Sequence, residues 1–178
     1  MIYSNLLPDS TLLKSVEEYD SLTIVLCPMC GNLSVGYHKD LPIYQKVLDE
    51  STGETKYERV AIFDEANRIK KLLQDTGKQV KMEIYGGPCM TALDSELPGN
   101  VNGGDSDAKL VEGCTGSDAV LALCCSVGVI GLHHRLGEEY RIVPGMKTLG
   151  IGHFTFKFDE TRTLVYADKE NSTIIPYN

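Results

Sequence analysis

The sequence predicts an α/β fold of three layers, with a mostly parallel sheet covered by helices on both faces. Three observations predict it. Apolar, strand-like runs recur at residues 22–26, 80–85 and 119–123. Helical patterns separate or follow them. No turn between these runs is short enough to pair them as simple hairpins, so strand–helix–strand crossovers and parallel neighbours follow. The expected arrangement is Rossmann/flavodoxin-like, with an inserted β-hairpin and a terminal hairpin, in a single domain over residues 1–178.

Each element has its own signal. Residues 10–19 read as a short helix, with Ser10 as candidate N-cap and Leu12, Leu13 and Val16 on one face. Leu22–Leu26 is a buried strand. Alternation at 43–47 and 56–60 around Ser51-Thr52-Gly53 marks a hairpin over 43–61, inserted before the crossover helix. That helix carries Asp64 and Glu65 early, Lys70 and Lys71 late, and Gly77 as its C′ residue. Ile62, Ala66, Ile69 and Leu73 line the face it turns to the sheet. Residues 96–107, rich in Gly, Asn, Asp and Pro, read as a loop, followed by a helical segment around Ala108–Glu112. After the strand at 119–123, Ser126 is placed to cap a helix running to Leu136 and closed by Gly137. Tyr140–Val143 is a short strand stopped by Pro144. Ile151–Phe158 and Thr163–Ala167 form a hairpin within a C-terminal extension, 153–178.

A chain of 178 residues with a formal net charge of −8 has the composition of an ordinary soluble domain. The negative charge argues against a nucleic-acid or anionic-membrane surface. Neither a secretory leader nor an apolar run of the roughly 18–20 residues needed for a membrane span is expected. A cytoplasmic location, where thiols stay reduced, is the reading for the six cysteines.

Those cysteines carry the functional argument. Leu22–Leu26 runs into Cys27-Pro28-Met29-Cys30; Val80–Tyr85 runs into Gly86-Gly87-Pro88-Cys89; Ala119–Leu123 runs into Cys124-Cys125. Parallel strands bring their carboxyl ends to one edge, where open α/β sheets build ligand sites. Strand alternation turns one of Cys124 and Cys125 into the core, and Cys124 is assigned there. Cys114 precedes its strand, at the opposite end, and is set aside. Cys27, Cys30, Cys89 and Cys125 remain as one four-thiol site.

Four Cys ligands suit a [4Fe–4S] cluster or Zn²⁺ alike. Nearby Gly31, Gly86, Gly87 and Gly128 let main-chain N–H groups approach sulfur, which favours the cluster. A CxxC dithiol oxidoreductase is the rival from another class. It wants a helix immediately after the pair, where the sequence reads Gly31-Asn32-Leu33-Ser34-Val35-Gly36. His38, His133, His134 and His153 take surface roles by default, with His153 the one to check near the site. No nucleotide-binding glycine motif, P-loop, serine elbow or HExxH is present.

The strand into CxxC, the lone Cys89, Asp118-Ala119-Val120-Leu121-Ala122-Leu123-Cys124-Cys125-Ser126-Val127-Gly128-Val129, and Pro144 to Gly150 together resemble the C-terminal domain family of methylenetetrahydrofolate reductases, the MetV-like small subunits of anaerobic bacteria. The resemblance covers about residues 20–152. It implies an iron–sulfur- or zinc-binding subunit of one-carbon metabolism. Its partners would be a flavin-containing, MetF-like reductase and further electron-transfer subunits. It places Cys27, Cys30, Cys89 and Cys125 at ligand positions. The chain departs from the family in its Cys-Pro-Met-Cys loop, in the inserted hairpin and in Ser126, where the family has Gly. With no cysteine after Cys125, a second metal site in the tail is also missing. The expectation is therefore a non-catalytic electron-transfer subunit with one [4Fe–4S] cluster, or a structural zinc subunit of the same kind of complex.

Overall fold

A computed structural model describes residues 1–90 and 105–177. Its strands and helices, in chain order, are β1 (Ile2–Leu6), α1 (Asp9–Ser15), β2 (Ser21–Leu26), α2 (Cys30–Lys39), β3 (Tyr44–Leu48), β4 (Thr55–Arg59), α3 (Ala61–Gln74), β5 (Gln79–Ile84), α4 (Asp105–Cys114), β6 (Ala119–Leu123), α5 (Ser126–Leu136), β7 (Arg141–Pro144), β8 (Met146–Phe158) and β9 (Leu164–Pro176). A single 3-10 turn, Pro88–Met90, follows β5.

These strands form two sheets, which corrects the expectation of one mostly parallel, Rossmann/flavodoxin-like sheet. Four strands are parallel, in the order β5-β2-β6-β7; five are antiparallel, in the order β1-β8-β9-β3-β4. The physical reason lies in the two expected hairpins. Each was read as a local excursion, but β8 and β9 run for 13 residues each, and β9 pairs with β3 of the inserted hairpin. The N-terminal residues, given no strand by the sequence reading, complete the second sheet as β1 against β8.

Alternation along the parallel strands sorts two cores. Leu22, Ile24 and Leu26 of β2 pack with Leu121 and Leu123 of β6 against Ala66, Ile69 and Leu73 of α3. Val25, Val120, Ala122 and Cys124 face the other way, toward Leu110 of α4 and Leu132 and Leu136 of α5. Glu65, buried on α3, is neutralised by Lys39 at 2.6 Å and Arg68 at 2.9 Å; Arg68 also pairs with Asp9 at 2.8 Å, tying α1, α2 and α3 together.

Helix α2, like β1, is an element that the sequence pattern does not announce. Its residues Gly31-Asn32-Leu33-Ser34-Val35-Gly36 are all buried. Val35 joins the core of the parallel sheet, while Leu33 joins Tyr3, Ile43, Phe154 and Ala167 of the antiparallel one. A helix packed on several sides needs small residues rather than an apolar stripe, so its sequence lacks the usual period. Asn32 holds the junction: its Nδ2 donates to the Ile43 carbonyl at 2.9 Å, and its Oδ1 accepts from the Ile62 N–H at 3.1 Å. The second bond satisfies an open donor in the first turn of α3.

Cap positions shift as well. The N-cap of α1 is Pro8 rather than Ser10, and that of α5 is Cys125 rather than Ser126. The predicted loop at 96–107 lies mostly outside the described residues, and Asp105 already begins α4.

Candidate metal centre

The strand order fixes where a site forms. From β2 the chain moves to β5 on one side, then crosses back to β6 on the other, so β2 and β6 flank the point where the winding reverses. A crevice opens beyond the carboxyl ends of strands at such a point. Backbone bonds lace the ends together: the Cys27 N–H donates to the Leu123 carbonyl at 3.1 Å, and the Tyr85 N–H to the Leu26 carbonyl at 3.1 Å. Cys27 follows β2, Cys30 opens α2, Cys125 caps α5, and Cys89 sits in the 3-10 turn after β5.

These four sulfurs are within electrostatic reach of one another. Burial pushes the Cys27 thiol above its ordinary value, with Cys30 and Cys125 adding to the rise. Cys89 is raised by burial and then by Cys125, Cys27 and Cys30; Cys125 is raised by burial and by Cys30. All six cysteines are free thiols. Main-chain donors oppose the rise. The N–H groups of Met29 and Gly87 face Cys27, and those of Val127 and Gly128, in the open first turn of α5, face Cys125. Gly87 reaches this position with φ of +66°, in the left-handed region that favours glycine.

The Cys89 turn is seated on α5 by a close approach. A Cβ on Gly131 would stand 2.0 Å from the Pro88 carbonyl oxygen, so only glycine lets turn and helix meet. Around it, Asp107 at the start of α4 accepts hydrogen bonds from the Tyr85 hydroxyl and from the Arg135 guanidinium of α5. Sequence reasoning missed this trio because its members are far apart in the chain and none has a motif.

The remaining cysteines and the histidines have different surroundings. Cys124 is buried beside the rim, against Val25, Cys27, Tyr85 and Leu132, and its thiol is raised well above the ordinary value, first by burial and then by Cys27, Cys125 and Cys89. Cys114 ends α4, fully buried; burial and then the Glu83 carboxylate push its thiol up to about 11. His153 is exposed on β8, opposite Thr173 of the antiparallel sheet. His133 and His134 are exposed in the last turn of α5. His38 stacks on Tyr3, with ring centroids 4.9 Å apart.

Among the described residues, no three or more His, Cys, Asp or Glu side chains stand in a ready metal-holding arrangement. The donor set still suits a thiophilic metal or an iron–sulfur cluster, with N–H groups directed at two of its sulfurs. Coordination would require the thiol rotamers to close on the metal. Contrary to the expectation from sequence, a helix does begin at Cys30, at the end of the CxxC turn, as dithiol exchange would want. Exchange-active thiols are accessible and have depressed pKa values, whereas Cys27 is 6% exposed and raised.

No protein-family model, curated protein or solved structure matches the chain. No helix among the described residues is long and apolar enough to cross a membrane.

Proposed function

We propose that Cys27, Cys30, Cys89 and Cys125 hold one [4Fe–4S] cluster, and that the protein is a MetV-like electron-transfer subunit working with a flavin-containing partner. One observation carries the reading: four free thiols from three parallel-strand ends share one rim, each within reach of the others' charge. Crowded thiolates repel, and a bound cation or cluster relieves that repulsion. When bound, such a cluster supplies one-electron redox chemistry. The chain's own part is to present the four thiols, whose protons leave as the metal binds, to direct the Met29, Gly87, Val127 and Gly128 N–H groups at Cys27 and Cys125, and to exclude water by burying Cys27 and Cys125.

A structural zinc site uses the same residues and is the second reading, favoured only by the chemistry of the ligand set. Anaerobic purification separates the two. The cluster reading expects a brown protein whose visible absorption bleaches with dithionite and is lost in Cys89→Ser. A colourless protein that dithionite does not change would overturn it.

A further inference from the structure

The inserted hairpin does more than lengthen the antiparallel sheet. It leans β4 over the CxxC turn, and a groove of about 500 Å³ opens between them. Its walls are Tyr57 from β4, Phe63 from the first turn of α3, Ile84 at the end of β5, and Pro28 from within the CxxC turn. That volume falls within the roughly 300–1,000 Å³ of ordinary small-ligand sites.

The groove is prearranged, and its charges are unevenly paired. The Tyr57 ring is held in place, with its hydroxyl donating to the Arg162 carbonyl at 3.3 Å and the ring in an edge-to-face contact with Phe158, centroids 6.1 Å apart. Lys56 and Glu58 on the rim pair with each other at 3.1 Å, and Lys56 also meets Asp49 at 3.5 Å. Arg59 has no carboxylate partner among the described residues; its Nη2 reaches only the Met29 sulfur, at 3.6 Å. An aromatic-walled slot, with a guanidinium at its mouth that makes no carboxylate contact among the described residues, has a definite complement. Rings stack on Tyr57 and Phe63, and Arg59 donates charge-assisted bonds to an anion.

We infer that this groove binds a small planar aromatic ligand bearing an anionic group, such as a phosphate, sulfonate or carboxylate. Because Pro28 stands between Cys27 and Cys30, the ligand lies against the turn that supplies two of the four thiols. Binding depends on the groove alone; a role for the ligand as electron donor or acceptor rests on the metal-centre reading.

Anilinonaphthalene sulfonate, a fused aromatic anion, is the probe. Fluorescence titration of the full chain should show one saturable site, weakened about tenfold by Arg59→Gln and by Phe63→Ala. Lys14→Gln should leave it unchanged, since Lys14 lines a separate cleft with Leu13, Glu17 and Thr76. A neutral anilinonaphthalene should bind wild type and Arg59→Gln equally. Arg59 is exposed, so its variant should keep the wild-type circular dichroism. Non-saturable dye binding, or binding indifferent to Arg59→Gln, overturns the inference and leaves the exposed Met29, Tyr57 and Ile84 to a protein partner. Metal content measured on the same samples, with Cys89→Ser included, reads the thiol site separately: dye binding should survive that substitution.

Discussion

Asn32 shows how much one side chain can hold in this chain. Fully buried, it bonds the backbone on the way into the hairpin and the first turn of α3. Asn32→Ala would strand the buried Ile62 N–H, while the Ile43 carbonyl keeps the Val60 N–H at 3.0 Å, so the cost is about 1–3 kcal/mol; urea denaturation should read that loss of stability. Cys114 makes a second residue-scale prediction. Its folded thiol titrates at about 11, above the ordinary value of 9.0, so its neutral form is favoured by folding. The stabilisation is fully present below pH 9 and is lost as pH rises toward 11. The metal-free protein should therefore lose stability across that window. Cys114→Ala should flatten the alkaline decline and leave metal content unchanged, because Cys114 takes its charge contacts from Glu83 and Lys81 rather than from the rim.

At the scale of elements, the packing of α5 against the Cys89 turn decides whether the fourth thiol reaches the rim. Gly131→Ala adds a helix-favouring residue but drives its methyl into the Pro88 carbonyl. Helix content should hold, while metal affinity falls about tenfold or more, as for other substitutions just behind metal ligands; circular dichroism with competitive chelation checks both halves. The same scale shows what the sequence could reveal. β6 and the body of α5 were legible because a continuous apolar run and a clear Gly137 stop mark them. α3 was legible from its single apolar face. α2 was not, since burial on several sides selects small residues that carry no period. The antiparallel sheet was not either: alternation marks each hairpin, but nothing local says that β9 will pair with β3 and β8 with β1. Likewise the Cys27, Cys30, Cys89 and Cys125 set follows from strand ends, whereas the groove at Tyr57 and Phe63 depends on where the hairpin leans.

For the whole molecule, the two sheets divide the work. The parallel sheet brings three strand ends and four thiols to the point where its winding reverses. The antiparallel sheet, joined to it through α2, extends β4 over that rim. In the proposed function the rim holds one iron–sulfur cluster. Iron, zinc and acid-labile sulfide counted per chain in anaerobically purified protein test it most directly. About four iron and four sulfide with negligible zinc are expected, as a single cluster requires. One zinc without sulfide, or a metal-free chain with Cys27 and Cys30 joined as a disulfide, would contradict it.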